Sequence, residues 1–152
     1  NRGCAFSLDP SHINHLAPGK RSFHTLNAAI AQLGQQGEDG TLVYGTMGGD
    51  GQPQTQATLY QRVVQFGDHP QQALSRPRWL LGRTWGQPSE SLKLERRFDR
   101  SVGTVLQLMG HDVEWLDEWD EAAGHAGVLV RDAHGVMTGG FDPRSNGAVA
   151  GF

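Results

Sequence analysis

An α+β fold is predicted, with mostly antiparallel sheets and helices packed on them. Short runs of β-forming residues are joined mostly by polar, hairpin-like turns. Other segments carry apolar residues at helical spacing. The elements follow one another as β-β-α-α-β-β-α-β-β-β. Strands joined by hairpins pair antiparallel, and a helix with one apolar face must bury it against another layer.

Positions 1–19 read as loop: Pro10, Pro18 and Gly19 punctuate them and no period is sustained. His12 and His15 have an H-x-x-H spacing, but no helical pattern carries them and no third ligand follows at a known spacing. They are expected to be surface histidines rather than a metal site. Lys20–Leu33 is open to both helix and strand. Leu26, Ala29, Ile30 and Leu33 fit a helix, whereas Phe23, Thr25 and the short distance to the next strand favour a hairpin through the polar turn 35–40. The hairpin is the reading taken, with 41–46 as the return strand.

The stretch 41–66 then reads as strand, glycine-rich turn and helix. Leu42, Val43 and Tyr44 form the strand. Gly45, Gly48, Gly49 and Gly51 allow a sharp turn or a close approach. Pro53 suits a first helical turn, Ala57, Tyr60, Val63 and Val64 recur at helical spacing, and Gly67 is the stop. Such a turn aims backbone N–H groups into open space, where they can bind an anion or an oxyanion. The local pattern by itself favours the plainer reading, a tight turn whose glycines only solve a geometric problem.

Beyond Gly67, Asp68 and Gln71 resemble a capping box that opens a short helix through Leu74, closed by Pro77. The segments 78–81 and 91–95 read as strands around a polar loop with Gly86 and Pro88, and Trp79 and Trp85 as packing residues. Asp99 caps a helix whose apolar face is Val102, Val105, Leu106 and Met109. The segment 112–116 is a strand. Glu114, Asp117, Glu118, Asp120 and Glu121 are expected to be a solvated acidic loop, since they lack a metal-loop spacing. The segments 128–131 and 136–140 form a hairpin. Asp142-Pro143-Arg144 is either a structural corner or a binding loop.

The 152 residues suffice for one domain, 1–152, with a real core. A net charge of -3 gives no case for nucleic acid or an anionic membrane, and no apolar run approaches a membrane span. The one cysteine, Cys4, rules out an internal disulfide and is expected to be buried or incidental. There is no G-x-S-x-G elbow, P-loop or G-x-G-x-x-G motif. No cofactor is expected. The chain opens NRGCAF rather than with Met, and is expected to be a processed or truncated piece of a longer protein. Its compartment, bacterial-type cytoplasm or periplasm, stays undetermined.

Four blocks in this order carry a resemblance: N-R-G-C-A-F-S (1–7), P-G-K-R-S-F-H-T (18–25), G-T-M-G-G-D (45–50) and D-P-R-S-N-G-A-V-A-G-F (142–152), with R-P-R at 76–78. Together they resemble the C-terminal part of the gamma-glutamyltranspeptidase small subunit, over essentially the whole chain. The resemblance implies an αββα sandwich of the N-terminal-nucleophile hydrolase type, incomplete in this chain. It also implies autoprocessing, with a new N-terminal Thr as nucleophile and its α-amine as base. Gly48 and Gly49 match the paired glycines that donate N–H groups to the oxyanion. One such donor is typically worth about 3–4 kcal/mol in the transition state. His24, Thr25, Ala5 and Arg2 fall at substrate-binding positions.

Three departures from the family pattern follow. The nucleophile lies upstream of the N-R-G block, and position 1 is Asn, so this chain alone is expected to be inactive. Glutamyl-transferring members carry a carboxylate where Ala5 stands, and a methyl group cannot pair with an ammonium. They carry two serines where His24 and Thr25 stand. Thr25 still donates a hydrogen bond, and His24 does so with a different shape and pH response; either can also be a plain hairpin residue. The departures resemble the acylase-like branch and weigh against γ-glutamyl specificity more than against amide hydrolysis. The implied partners are the rest of the same enzyme, or a second copy, and a small amide or γ-glutamyl substrate. The rival reading is a non-catalytic binding or assembly module that retains the fold.

Overall fold

The computed structural model describes residues 2–83 and 88–151; Trp85 and Gly86 lie outside the described residues. In chain order the elements are β1 (Ala28–Leu33), β2 (Gly40–Thr46), α1 (Gln52–Tyr60), α2 (Pro70–Ser75), β3 (Trp79–Leu81), β4 (Leu92–Glu95), α3 (Arg100–Leu108), β5 (Val113–Leu116), β6 (Ala126–Asp132) and β7 (Met137–Phe141). The strand and helix order is the one the sequence predicts. One sheet runs β1-β2-β6-β7, antiparallel throughout; the other runs β3-β4-β5. The hairpin reading holds, but β1 begins at Ala28, and 18–27 is irregular chain. Strand β5 pairs parallel with β4. It returns through α3, and a helical crossover permits what a hairpin forbids.

Helices α1 and α2 cover one face of the four-stranded sheet. Leu42, Ala126 and Val128 from the sheet meet Leu59, Ala73 and Leu74 from the helices, all nearly inaccessible. Each buried leucine contributes roughly 1.5–3 kcal/mol. The buried face of the first helix is the expected one only in part: Tyr60 and Val63 pack against this core. Thr55, Gln56, Leu59 and, in the following π-helical turn (Gln61–Gln65), Arg62 point inward, while Ala57 and Val64 are exposed. Polar side chains are tolerated inside because backbone carbonyls receive them. Gln56 donates to the Asn27 carbonyl. Arg62 donates to Ala73 (2.9 Å) and Pro77 (2.6 Å), although burial, and then the neighbouring arginine Arg78, pull its guanidinium down to about 10.

Three further expectations change. The N-cap of α2 is His69, whose ring accepts from the Gln71 N–H, because Pro70 takes the first helical position. Asp68 is instead a buried partner of Arg76 at 2.5 Å. Asp99 does cap α3, but that helix buries Gly103 rather than its apolar face; Val102, Val105 and Met109 are exposed. Gly103 faces the Trp115 ring, which any side chain would overlap, and Arg100 stacks 4.2 Å from that ring. Cys4 is exposed, which leaves the incidental reading. No helix among the described residues is long and apolar enough to cross a membrane.

The Asp142-Pro143-Arg144 question is decided as a structural corner. Asp142 and Arg144 are buried with Arg78 and Glu95 in a balanced cluster of two cations and two anions. Arg144 holds Glu95 bidentately at 2.5 Å through Nε and Nη2, and donates Nη1 to Asp142 at 3.0 Å. Arg78 pairs with Asp142 at 2.6 Å, and its N–H donates to Glu95 at 2.8 Å. Glu95 ends β4 and Asp142 follows β7, so the cluster ties the two sheets together. Burial, and then Arg144, pull the Arg78 guanidinium down to about 10, against the opposing pull of Asp142. Burial also opposes the charge on Arg144, but Glu95 and Asp142 outweigh it and the net shift is upward.

The other face of the four-stranded sheet is open. Ile30, Val43, Leu129 and Gly139 lie in register across its strands, and Ile30 is 73% exposed. An apolar sheet face of this kind calls for a cover. The chain is expected to self-associate, or to depend on a partner to stay dispersed. Sedimentation equilibrium tests this, and a stable monomer at high concentration would contradict it. Glu95→Gln is expected to cost about 3–5 kcal/mol, since it breaks a buried pair and strands Arg144; urea unfolding measures the loss.

Candidate functional site

The site forms where β2 gives way to α1. The strand ends at Thr46, and Gly48 (φ 138) and Gly49 (φ 55) adopt backbone angles that L-residues rarely hold. The Gly51 N–H donates to the Gly48 carbonyl at 3.0 Å and closes a 3-10 turn, Gly49–Gly51, that feeds α1 with Pro53 in its first turn. The Met47 N–H is held by the His125 carbonyl at 3.2 Å. Among the described residues, Gly48 and Gly49 donate no backbone hydrogen bond. Both residues line an open cleft of about 1060 Å³.

The irregular segment before β1 lines the same cleft through His24 and Thr25, with Phe23 and Leu26 beside them. Gln52, in the first turn of α1, donates its side-chain amide to the Thr25 carbonyl at 3.2 Å and so ties this segment to the turn. Of the sequence-predicted residues, Gly48, Gly49, His24 and Thr25 are therefore brought together. Ala5 is not among the lining residues. It ends the 3-10 turn Arg2–Ala5, where its carbonyl accepts from the Asn14 side chain at 2.5 Å. Arg2 opens that turn; its side chain lies outside what is described.

Sequence reasoning missed two contributors. Arg83, just after β3, lines the cleft and donates Nε (2.9 Å) and Nη2 (2.7 Å) to Asp50, the residue after Gly49. Neither a periodic pattern nor a motif distinguishes Arg83 from any surface arginine. The second is Gly124, whose left-handed backbone (φ 83) lies directly behind the turn. A Cβ there would sit 2.5 Å from the Met47 carbonyl oxygen, and the Gly124 Cα lies 3.5 Å from where a Gly48 Cβ would be. Arg78 of the buried cluster donates to the Ala123 (3.1 Å) and Gly124 (3.0 Å) carbonyls. The ion cluster thus fixes the backing of the glycine turn.

The predicted acidic loop is used structurally. Glu114 pairs with Lys93 at 3.6 Å, Asp117 with Arg96 at 3.0 Å, and Asp120 caps the turn Glu121–Ala123 through the Ala122 N–H. His12 accepts from the Asn14 N–H in the N-terminal loop. No group of three or more metal-ligating side chains occurs among the described residues.

The family model for gamma-glutamyltranspeptidase matches residues 1–152. The chain belongs to the gamma-glutamyltranspeptidase family. It is 59% identical over 153 residues to an oxamate amidohydrolase proenzyme of Klebsiella pneumoniae, a match that takes in all of this chain and 28% of that protein. It is 46% identical over 152 residues to the glutathione hydrolase-like YwrD proenzyme of Bacillus subtilis, again over all of this chain and 28% of that protein. Among solved structures, a cephalosporin acylase from Bacillus halodurans superposes with a TM-score of 0.71 at 32% identity, covering 98% of this chain and 26% of that one. The family member described here therefore has acylase-like relatives and spans about 28% of the length of the curated proenzymes it matches. The fold is of the N-terminal-nucleophile hydrolase type, as the resemblance implied.

Gly124→Ala is expected to cost about 1–3 kcal/mol from backbone strain alone, with the overlap on Met47 added. Gly127→Ala, where a Cβ meets nothing within 4 Å, is expected to be near neutral. Paired urea titrations check the contrast.

Proposed function

We propose that this chain is the C-terminal portion of an amide hydrolase or acyltransferase. In this reading Gly48 and Gly49 supply the oxyanion hole, and an upstream Thr, outside this sequence, supplies the nucleophile. The observation that carries the reading is a left-handed turn, its two N–H groups undonated among the described residues, that lines a cleft shared with His24 and Thr25. A carbonyl placed against the turn would meet those donors as it becomes tetrahedral and its oxygen gains charge. Backbone donors held by a rigid turn need no reorganisation at that moment, which is why such groups stabilise the transition state more than the ground state.

The acyl group would occupy the space between the turn and the 23–26 wall. Thr25 can donate a hydroxyl bond to it, and His24 a ring N–H. By the family resemblance, Ala5 stands where glutamyl-transferring members carry a carboxylate and offers no charge to an α-ammonium, which supports a simple amide over a γ-glutamyl donor, although Ala5 is not among the residues lining the cleft. The oxamate amidohydrolase relative points the same way, toward a small acyl group next to the scissile amide. The Thr amine would take the hydroxyl proton on attack and return it to the leaving amine, after which water would release the acyl group.

Mass spectrometry of the full-length parent tests the reading: it is expected to split immediately before a Thr upstream of Asn1 and to hydrolyse members of a small-amide panel. A precursor that never splits and has no Thr there would sink it. In the active parent, Gly48→Ala is expected to lower kcat by about 10²–10³-fold with a smaller change in KM, because φ 138 is strained for alanine and a shifted turn would turn its N–H groups away from the oxyanion.

A further inference from the structure

Arg83 and Asp50 form an ion pair on the surface of the cleft, and an exposed pair of this kind contributes little to stability. Both side chains are more than half exposed, at 55% and 59%. The guanidinium is nevertheless held in a defined place. Nε and Nη2 both bind the same Asp50 oxygen, which leaves Nη1 without a protein partner among the described residues. Asp50 belongs to the 3-10 turn that starts at Gly49. The cation is thereby anchored one residue from the undonated N–H groups, beside the N-terminal end of α1. Among the described cleft residues Arg83 is the one permanently charged cation, and Asp50, the one carboxylate, is already engaged by it.

We propose that Arg83 is the carboxylate anchor of this cleft, and that the substrates it serves are short amides carrying a carboxylate close to the scissile bond. This deepens the amide-hydrolase reading and rests on it for the chemistry, though not for the binding. The planar fork of a guanidinium matches a carboxylate bidentately, as a lysine ammonium does not. Asp50 supports it in the second role of an ion pair: it orients the fork and keeps it extended toward the glycine turn. A substrate with its carboxylate on Arg83 would have its amide carbonyl directed along the wall that carries Gly48 and Gly49. A neutral amide gains nothing from Arg83 and still reaches the turn.

The test is equilibrium binding to the full-length protein, by calorimetry, with oxamate, malonamate and succinamate and with the matching uncharged diamides. Wild type, Arg83→Ala and Arg83→Lys are compared, with circular dichroism as the fold control. Wild type is expected to bind at least one of the three anions. Arg83→Ala is expected to weaken that binding by about tenfold or more, as loss of a charged hydrogen bond does, and to leave diamide binding unchanged. Arg83→Lys is expected to recover part of the loss. If wild type binds none of the anions, or Arg83→Ala binds them as wild type does or weakens anions and diamides alike, the proposal is overturned. Turnover and self-cleavage are followed in the same samples. Arg83-dependent anion binding in a protein that neither splits nor hydrolyses amides would refute the hydrolase reading and leave this one standing.

Discussion

The buried cluster of Arg78, Glu95, Asp142 and Arg144 is the constraint on which the rest of the structure depends. Taking four charges out of water costs several kcal/mol per ion, and only near-complete pairing offsets it. Here the pairing is dense: a bidentate Arg144–Glu95 contact, a second carboxylate shared by both arginines, and backbone carbonyls for Nη1 of each arginine, while Arg78 Nε stays buried without a partner among the described residues. Asp142 also accepts the Ala126 N–H at 2.8 Å and so fixes the start of β6. Trp119 closes the cluster from outside, with Arg97 3.3 Å and Arg144 5.3 Å from its ring centre. Trp119 holds a left-handed backbone (φ 58) to do so, a strain the surrounding contacts must outweigh.

That cluster reaches the cleft through backbone contacts. Arg78 grips the carbonyls of Ala123 and Gly124, and Gly124 packs so closely on Met47 that no side chain fits between them. The Met47–Gly49 segment is therefore set from behind by a rigid core rather than by its own flexible glycines. In the proposed chemistry this matters because donors that must reorganise would lose much of their effect on the transition state. In that reading the cleft combines a backbone turn set by the core with the side chains of His24 and Thr25 that line the same cleft. That arrangement lets substrate preference drift within a family while the reacting end keeps its geometry.

Much of the architecture was legible in the chain. β-forming runs, polar turns and the Asp99 cap each act over a few residues, and the element order read from them is the observed one. What failed was part of each inference about which face a helix buries: Tyr60 and Val63 do pack against the core, but Ala57, Val64 and the apolar face of α3 do not. Ala57 and Val64 gave way to Gln56 and Arg62 because carbonyls at Asn27, Ala73 and Pro77 happened to lie within reach. The apolar face of α3 stayed open because Gly103 lets the helix approach Trp115 instead. Asp68 left its capping position because Arg76 lay nearer. Hydrophobic periodicity reports what a helix could bury, and only the neighbours decide what it does bury.

By itself, the sequence determined the element order, the antiparallel hairpins, the glycine-rich turn and the family blocks, because local backbone preference and short motifs act within a few residues. Only the tertiary structure decided that Asp142 and Arg144 form a buried corner with Arg78 and Glu95, in which Glu95 meets Arg78 from 17 positions before it and Arg144 from 49 positions after it. It alone brought Arg83 to Asp50 across 33 positions, and His24 and Thr25 to the cleft that Gly48 and Gly49 line. Charge pairing depends on through-space distance and on exclusion of water, and neither quantity is encoded in the spacing of residues along the chain.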